Sequence, residues 1–152
     1  MSELTPTIAI VGSGPAGCYS AQFLRKSMPD AEITVFEALP VPYGLLRYGV
    51  AADHQGTKNI SAQFERLFTH GGVRFMGNVE IGRDLSVDEL MAAFDVVVFA
   101  IGLSSERKLG IPGDDQENVI GAGKLLRALN GYPKKGVNSQ DLIRPLGERV
   151  VV

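Results

Sequence analysis

The stretch Thr7-Ile8-Ala9-Ile10-Val11-Gly12-Ser13-Gly14-Pro15-Ala16-Gly17 decides the fold of this chain. It opens with a short apolar, β-branched run that stops at a glycine, which is typical of a buried parallel strand. Helix-forming residues follow from Tyr19 to Lys26, and a second apolar run from Glu32 to Phe36 leads to Glu37. A strand, a glycine-rich loop, a helix and a second strand within about 30 residues predict a βαβ unit.

The glycine-rich loop has the spacing expected of a dinucleotide-binding turn. Gly12 permits a sharp exit from the strand, Gly14 lets the backbone approach a pyrophosphate, and Gly17 lets the helix pack closely on the strands. Pro15 suits the first helical position, where its missing N–H leaves no helical carbonyl unpaired. The helix then presents unpaired N–H groups and its positive dipole end to the phosphates.

Glu37 lies twenty positions after Gly17, at the end of the second predicted strand. A carboxylate at this point can accept the hydroxyl protons of an adenosine ribose. It would repel a 2′-phosphate, so the spacing predicts a site for FAD or NAD and not for NADP. The alternative is a glycine turn followed by an ordinary surface glutamate.

The rest of the chain continues the alternation of helices and strands. The further predicted elements are an amphipathic helix over Thr57–Thr69, a strand over Val73–Met76 with a short continuation over Val79–Ile81, and a helix opened by the capping box Ser86 to Glu89. Val96 to Ile101 is apolar throughout, so we expect a central strand covered on both faces. Gly102 then falls at the carboxyl edge of the sheet, where ligands bind in such folds; a plain strand-ending turn is the alternative.

These elements predict an α/β fold, a Rossmann-like parallel sheet with flanking helices, and a second nucleotide-binding domain that is only begun. Residues 1–107 are assigned to the N-terminal segment of the first, ligand-binding domain. Residues 108–152 are assigned to a linker and the start of the second domain. Within them we expect a short helix over Gly123–Leu129, a polar loop over 133–145 and a new strand at Arg149–Val152.

Bulk composition excludes several classes of function. The 152 residues carry a net charge of −2, which offers no electrostatic attraction to nucleic acid. No apolar run approaches the ~20 residues needed to cross a bilayer, and the N-terminus does not resemble a secretory signal, so we expect a cytoplasmic protein without membrane insertion. The single cysteine, Cys18, excludes an internal disulfide and suggests no metal cluster; we expect a small core residue there.

Three segments together resemble one family, the adrenodoxin-reductase-like ferredoxin–NADP⁺ reductases. They are the loop Val11–Gly17, then Pro40-Val41-Pro42-Tyr43-Gly44-Leu45-Leu46-Arg47-Tyr48-Gly49-Val50 running on to His54, and Gly77–Asp84. The first segment is shared by many flavoproteins, whereas the second is specific. The family usually has proline where Ala52 and Gln55 stand, so this loop is expected to be less rigid here.

The resemblance implies an FAD-dependent oxidoreductase that takes a hydride from NADPH and passes electrons to an iron–sulfur ferredoxin. By position, Ala16, Glu37, Leu45 and Ile81 match FAD-contacting residues of the family. His54 matches a histidine near the flavin and the nicotinamide, where it would orient a ligand or handle a proton. Arg47 is a candidate contact of a flavin or nicotinamide phosphate, with a surface ion pair as the alternative.

Other interpretations of the same residues stay open. Glutamate synthase small subunits and their relatives also carry Gly-Leu-Leu-Arg-Tyr-Gly, but normally continue with Ile-Pro. The chain is alternatively a non-catalytic FAD- or NAD-binding module, or a partner subunit completed by another chain. Because the family's NADP-binding motif and its final flavin-domain segment would follow Val152, we expect these 152 residues to be an N-terminal FAD-binding fragment that is inactive by itself.

Overall fold

A parallel β-sheet forms the centre of the protein. The computed structural model describes residues 5–103, 105–133, 149 and 151. Within these ranges the sheet has four strands in the order β3-β2-β1-β4, which are Thr7–Val11 (β1), Glu32–Glu37 (β2), Arg74–Gly77 (β3) and Val96–Phe99 (β4). All three strand pairs are parallel. The predicted Rossmann-like α/β fold is therefore confirmed.

Helices cover both faces of the sheet. They are Pro15–Ser27 (α1), Leu45–Tyr48 (α2), Gln55–Lys58 (α3), Ile60–Thr69 (α4), Val87–Ala93 (α5) and Ala122–Leu129 (α6). One core cluster joins α1 and α4 to the sheet and includes the fully buried Ile8, Ile10 and Phe64. A smaller cluster lies on the opposite face, where Leu90 of α5 packs with Ala9 and Val11. Alternate residues of β1 thus point into different clusters, as the two-residue period of a strand requires.

The predicted capping box at the start of α5 is confirmed. The Ser86 hydroxyl oxygen accepts from the Glu89 backbone N–H at 3.2 Å, and the Glu89 carboxylate accepts from the Ser86 backbone N–H at 2.9 Å. Two donors that the helix itself leaves unpaired are satisfied in this way. The helix begins where the sequence pattern placed it.

Within the described residues, the strand expected over Val96–Ile101 spans Val96–Phe99 and does not have the central position predicted for it. This strand is β4, at the edge of the sheet, where it pairs with β1. Val96 and Phe99 are 45% and 51% exposed, and within the described residues no strand pairs with the outer edge of β4. A continuous apolar run indicates that both faces of a strand can be buried. It does not indicate how many strands pair with that strand.

Two shorter elements also differ from the sequence prediction. The helix expected over Thr57–Thr69 is divided at Asn59 into α3 and α4. Near this break the Ser61 hydroxyl donates to the Lys58 carbonyl at 2.7 Å, a local bond of the kind that competes with helical pairing. The continuation expected over Val79–Ile81 is not a strand: the backbone bends at Asn78, where φ is +59°, and Ile81 forms an isolated bridge with Leu85.

The segment that contains α6 packs back against α2. The Asn130 side-chain amide donates to the Tyr48 and Val50 carbonyls at 3.3 and 3.1 Å, and its oxygen accepts from Lys58 Nζ at 2.7 Å. The helix expected over Gly123–Leu129 is confirmed as α6. The predicted polar loop over 133–145 lies outside the described residues except at 133, as does the predicted strand at 149–152 except at 149 and 151. In the described ranges, no helix has the length and apolar character that crossing a membrane requires.

Candidate dinucleotide-binding site

A cavity of about 890 Å³ opens at the carboxyl edge of the sheet. This volume is within the range of small-molecule and cofactor sites. Most of the lining is apolar, from the strand ends and from α2, and the charged lining residues are Glu37, Glu80 and Arg127. Eight residues predicted from the sequence to bind a cofactor line this cavity: Gly12, Gly14, Pro15, Ala16, Glu37, Leu45, Ile81 and Gly102.

Gly12 forms the floor of the cavity, where two strands approach each other closely. Its φ of +102° is a conformation that other residues rarely adopt, and a Cβ there would overlap the Ala100 carbonyl at the end of β4. Its N–H donates to the Phe36 carbonyl at 2.8 Å. Gly12 therefore ties the loop to β2 while leaving room for β4.

The N-terminus of α1 supplies the cavity with backbone donors. Gly14 is the N-cap residue and Pro15 occupies the first helical turn. No side chain of the described chain caps this end, so the N–H groups of the first turn are available to a ligand. Apart from Gly14 itself and its two neighbours in the chain, no residue has an atom within 4 Å of a Cβ built on Gly14. The geometry is that of an anion site formed by a helix N-terminus.

Gly17 does not line the cavity but holds α1 against β1. A Cβ at this position would overlap the Gly12 carbonyl oxygen and would lie 3.4 Å from Ile10 Cγ2. The third glycine of the loop is thus a packing residue, as expected from the sequence.

Glu37 ends β2 beside the glycine loop. Its Oε2 accepts from the Ser13 backbone N–H at 3.0 Å and from the Ser13 hydroxyl at 2.6 Å, and its Oε1 accepts from the Leu39 N–H at 3.1 Å. The carboxylate therefore has a defined orientation at the cavity wall. Carboxylate oxygens here are suited to accept hydroxyl protons and to repel a phosphate.

A tight turn brings α2 over the cavity. Tyr43 has a φ of +90°, which is strained for a residue with a side chain, and Gly44 follows with a φ of +48°. The Tyr43 N–H donates to the Ser13 carbonyl at 3.0 Å, which fixes the turn to the glycine loop. A Cβ on Gly44 would lie 3.0 Å from Gly14 Cα, so the two loops are in close contact and Leu45 follows directly into the lining.

The sequence and structure comparisons agree with this geometry. Residues 6–152 match the family model described as pyridine nucleotide-disulphide oxidoreductase. The chain belongs to this family. Cindoxin reductase from Citrobacter braakii is 58% identical over 133 residues, which are 88% of this chain and 29% of that protein. Human NADPH:adrenodoxin oxidoreductase is 44% identical over 140 residues, which are 92% of this chain and 28% of that protein.

A solved structure supports the same family relationship. Mycobacterium tuberculosis FprA in complex with NADPH superposes with a TM-score of 0.80 at 40% identity, covering 85% of this chain and 30% of that one. The resemblance to adrenodoxin-reductase-like ferredoxin–NADP⁺ reductases is confirmed. The chain spans less than a third of the length of these relatives.

Two residues suggested by the family resemblance lie outside the cavity lining. Arg47 is exposed; its Nε donates to the Pro42 carbonyl at 3.1 Å, and its guanidinium carbon lies 5.4 Å from the centre of the Tyr43 ring. His54 is exposed and precedes α3. The structure gives Arg47 a role in bracing the Tyr43 turn, and the functional roles expected for both residues stay predictions.

Sequence reasoning missed a second wall of the cavity. Tyr48, Arg127 and Tyr132 line it, and the two tyrosine rings meet edge to face at 5.1 Å. The Arg127 side chain is largely buried, and its Nη2 lies 3.5 Å from Glu106 Oε1. Tyr48 and Tyr132 lie 84 positions apart in the chain, so no local sequence pattern indicated that their rings meet.

Cys18 lies in the first half of α1 and is fully buried. Desolvation by burial, and then the nearby Glu37 charge, raise the pKa of the thiol to about 12. Its Sγ donates to the Ser13 carbonyl at 3.2 Å. The thiol is therefore a protonated core group at neutral pH, in agreement with the sequence prediction.

Proposed function

We propose that this chain binds the adenosine-diphosphate half of FAD. The whole protein would be an FAD-dependent oxidoreductase that moves electrons between NADPH and an iron–sulfur ferredoxin. The observation that supports the binding role is the convergence of Gly12, the uncapped N-terminus of α1 and the Glu37 carboxylate on one cavity. The names of the relatives, which are reductases of adrenodoxin, cindoxin or ferredoxin, support the activity of the whole protein.

The residues of the cavity fit the two polar parts of such a ligand. The N–H groups at the start of α1 would hold the pyrophosphate, since Gly14 offers no Cβ in its path. Glu37 would accept from the ribose, and its charge would disfavour a 2′-phosphate. The apolar side chains of Leu45 and Ile81 would exclude water from the remainder. When bound, FAD supplies the hydride and single-electron chemistry that side chains lack.

An absorption spectrum of the desalted protein tests flavin retention, and calorimetric titration with ADP, FAD and NAD tests binding. We expect all three to bind weakly through their common ADP end.

Glu37→Ala should weaken ADP binding by about 1–3 kcal/mol, the scale of lost hydrogen bonds to a charged group. Glu32→Ala is the matched control, because it lies at the other end of the same strand and is exposed. Unchanged ADP affinity in Glu37→Ala would remove this residue from the site.

The electron-transfer activity is tested on the full-length protein that contains this chain. We expect NADPH to reduce an iron–sulfur ferredoxin at a rate that depends on added FAD. Tight FAD binding without reduction of any ferredoxin or dye would instead support a non-catalytic binding module.

His54 is proposed to orient the nicotinamide or to handle a proton, and Arg47 to contact a phosphate of flavin or nicotinamide. The support is their position in the loop that carries the family resemblance and their accessibility to solvent. His54→Gln in the full-length protein should lower turnover with NADPH while FAD binding is retained. Arg47→Ala should weaken cofactor affinity; if thermal stability alone falls, its contacts with Pro42 and Tyr43 are its whole role.

The division at residues 107 and 108 and the cytoplasmic location are also proposals. All four described strands precede residue 107, which supports the division. Limited proteolysis should cut the exposed segment around Leu109 first. The composition supports a cytoplasmic location, whereas several relatives are named as mitochondrial. Fractionation of the source cells would decide between a cytoplasmic and a mitochondrial location.

A further inference from the structure

Ser13 lies behind the wall of the cavity and is fully buried. Its hydroxyl donates to Glu37 Oε2 at 2.6 Å, and its backbone N–H donates to the same oxygen at 3.0 Å. A buried hydroxyl needs a partner, and a charged acceptor gives the stronger bond. The loop and the end of β2 are thus joined by two donors from one residue to one carboxylate oxygen.

These bonds restrict how the carboxylate can meet a ligand. A carboxylate has about four acceptor sites. Ser13 uses two on Oε2, and the Leu39 N–H uses one on Oε1 at 3.1 Å. Without a change in these bonds, the remaining acceptor capacity lies on Oε1, which suits one ribose hydroxyl better than two.

We propose that Ser13 is a positioning residue that turns the Glu37 carboxylate so that Oε1 receives a ribose hydroxyl. This inference rests on the proposed function, because it concerns the same adenosine end of the ligand. The Ser13 hydroxyl does not touch the ligand; it acts by holding Oε2 and thereby the rotation of the whole group. The nucleotide specificity of the site then depends on a residue that is not in the cavity lining.

The backbone of Ser13 is held independently of its hydroxyl. Its carbonyl accepts from the Tyr43 N–H at 3.0 Å and from Cys18 Sγ at 3.2 Å. Removal of the hydroxyl alone therefore leaves the loop attached to the Tyr43 turn and to α1. The effect of the hydroxyl on Glu37 can be measured in a protein whose loop is still anchored.

The test is calorimetric binding of ADP and of 2′,3′-dideoxy-ADP to the 152-residue chain and its variants. Ser13→Ala should weaken ADP binding about tenfold, a factor that corresponds to the loss of one hydrogen bond to a charged group. It should leave binding of the dideoxy nucleotide unchanged, because that ligand has no ribose hydroxyl for Glu37. Ser13→Cys, a closer match in shape with a weak donor, should give a smaller loss for ADP and none for the dideoxy nucleotide. Ser27→Ala, at the exposed end of α1, is the matched control and should bind both like the unsubstituted chain.

The outcomes separate this inference from the proposed function. If the unsubstituted chain binds no ADP at millimolar concentration, the proposed function and the inference both fail. If it binds ADP, but Ser13→Ala weakens both nucleotides equally or neither, only the inference fails. If Ser13→Ala does not fold, the same comparison is made with Ser13→Cys, and an equal effect on both nucleotides overturns the inference.

Discussion

Gly14 and Gly17 lie three positions apart in one loop, yet their replacement by alanine should have opposite consequences. At Gly17 the new methyl group would overlap the Gly12 carbonyl oxygen and crowd the Gly12 carbonyl carbon at 3.0 Å. Both are backbone atoms, so α1 must move away from β1. Such overpacking costs up to about 3 kcal/mol, and the better helix propensity of alanine recovers about 1 kcal/mol.

The expected net destabilisation of Gly17→Ala is about 2 kcal/mol, or a fall of roughly 4–8 °C in Tm for a chain of this size. At Gly14 the φ of −65° suits alanine, and apart from Gly14 itself and its two neighbours in the chain, no residue has an atom within 4 Å of the added Cβ. Alanine is a poorer N-cap residue than glycine, which lowers the stability of the folded chain, but it also stiffens the unfolded chain, which raises that stability. These two effects on the free energy of unfolding offset one another to within about 1 kcal/mol. Gly14→Ala should therefore keep its Tm but place a methyl group where a phosphate approaches.

Thermal unfolding followed by circular dichroism, and calorimetry with ADP, measure the two effects separately. A steric cost of about 1–3 kcal/mol at Gly14 corresponds to an affinity loss of about 5–150-fold for ADP. The reasoning is refuted if Gly14→Ala binds ADP as tightly as the unsubstituted chain. It is equally refuted if Gly17→Ala unfolds at an unchanged temperature.

Three further predictions concern residues away from the phosphate site. Burial raises the pKa of Cys18 to about 12, so the thiol should resist iodoacetamide at pH 8 until denaturant unfolds the chain. Mass spectrometry measures the labelling, and rapid labelling of the native protein would contradict the burial of Cys18. Asp84 has its pKa lowered to about 2, mainly by a hydrogen bond from Arg83, below its ordinary value of 3.8. Its stabilisation is therefore present above pH 3.8 and lost as the pH falls toward 2, so the Tm difference between the unsubstituted chain and Asp84→Asn should shrink over that interval. Asn130→Ala should lower the free energy of unfolding by about 1–3 kcal/mol, because the Asn130 side-chain amide donates to the Tyr48 and Val50 carbonyls. It should also speed amide hydrogen exchange in α6. Asn59→Ala, at an exposed position, is the control, and equal exchange in the two variants would show that Asn130 does not anchor the helix.

The parts of the site that lie close together in the chain were predictable from the sequence. The glycine loop, the start of α1 and Glu37 belong to one βαβ unit, in which each glycine has a local steric reason. The capping box at Ser86 was predictable for the same reason, since all its partners lie within three positions. Such features depend on backbone conformation and on the period of apolar residues, which are visible in a single sequence.

The family resemblance identified cavity-lining residues less accurately than the local pattern of the βαβ unit did. Leu45 and Ile81 line the cavity, whereas Arg47 and His54 lie outside its lining. A matching motif places a residue in the correct loop, but the direction of its side chain depends on the neighbours that the loop meets. Here Arg47 packs on the Tyr43 ring, a contact that the motif did not indicate.

By itself the sequence determined the α/β class, the βαβ unit, the dinucleotide loop and the acid Glu37 that ends the unit. These features depend on short-range sterics and on the period of apolar residues, both of which can be read from neighbouring residues in the chain. Only the tertiary structure decided that β4 pairs with β1, that Asn130 joins α6 to α2 across 82 positions, and that Ser13 bonds to Glu37 across 24. These contacts join residues far apart in the chain, and which ones meet is settled by the packing of the whole sheet and its helices.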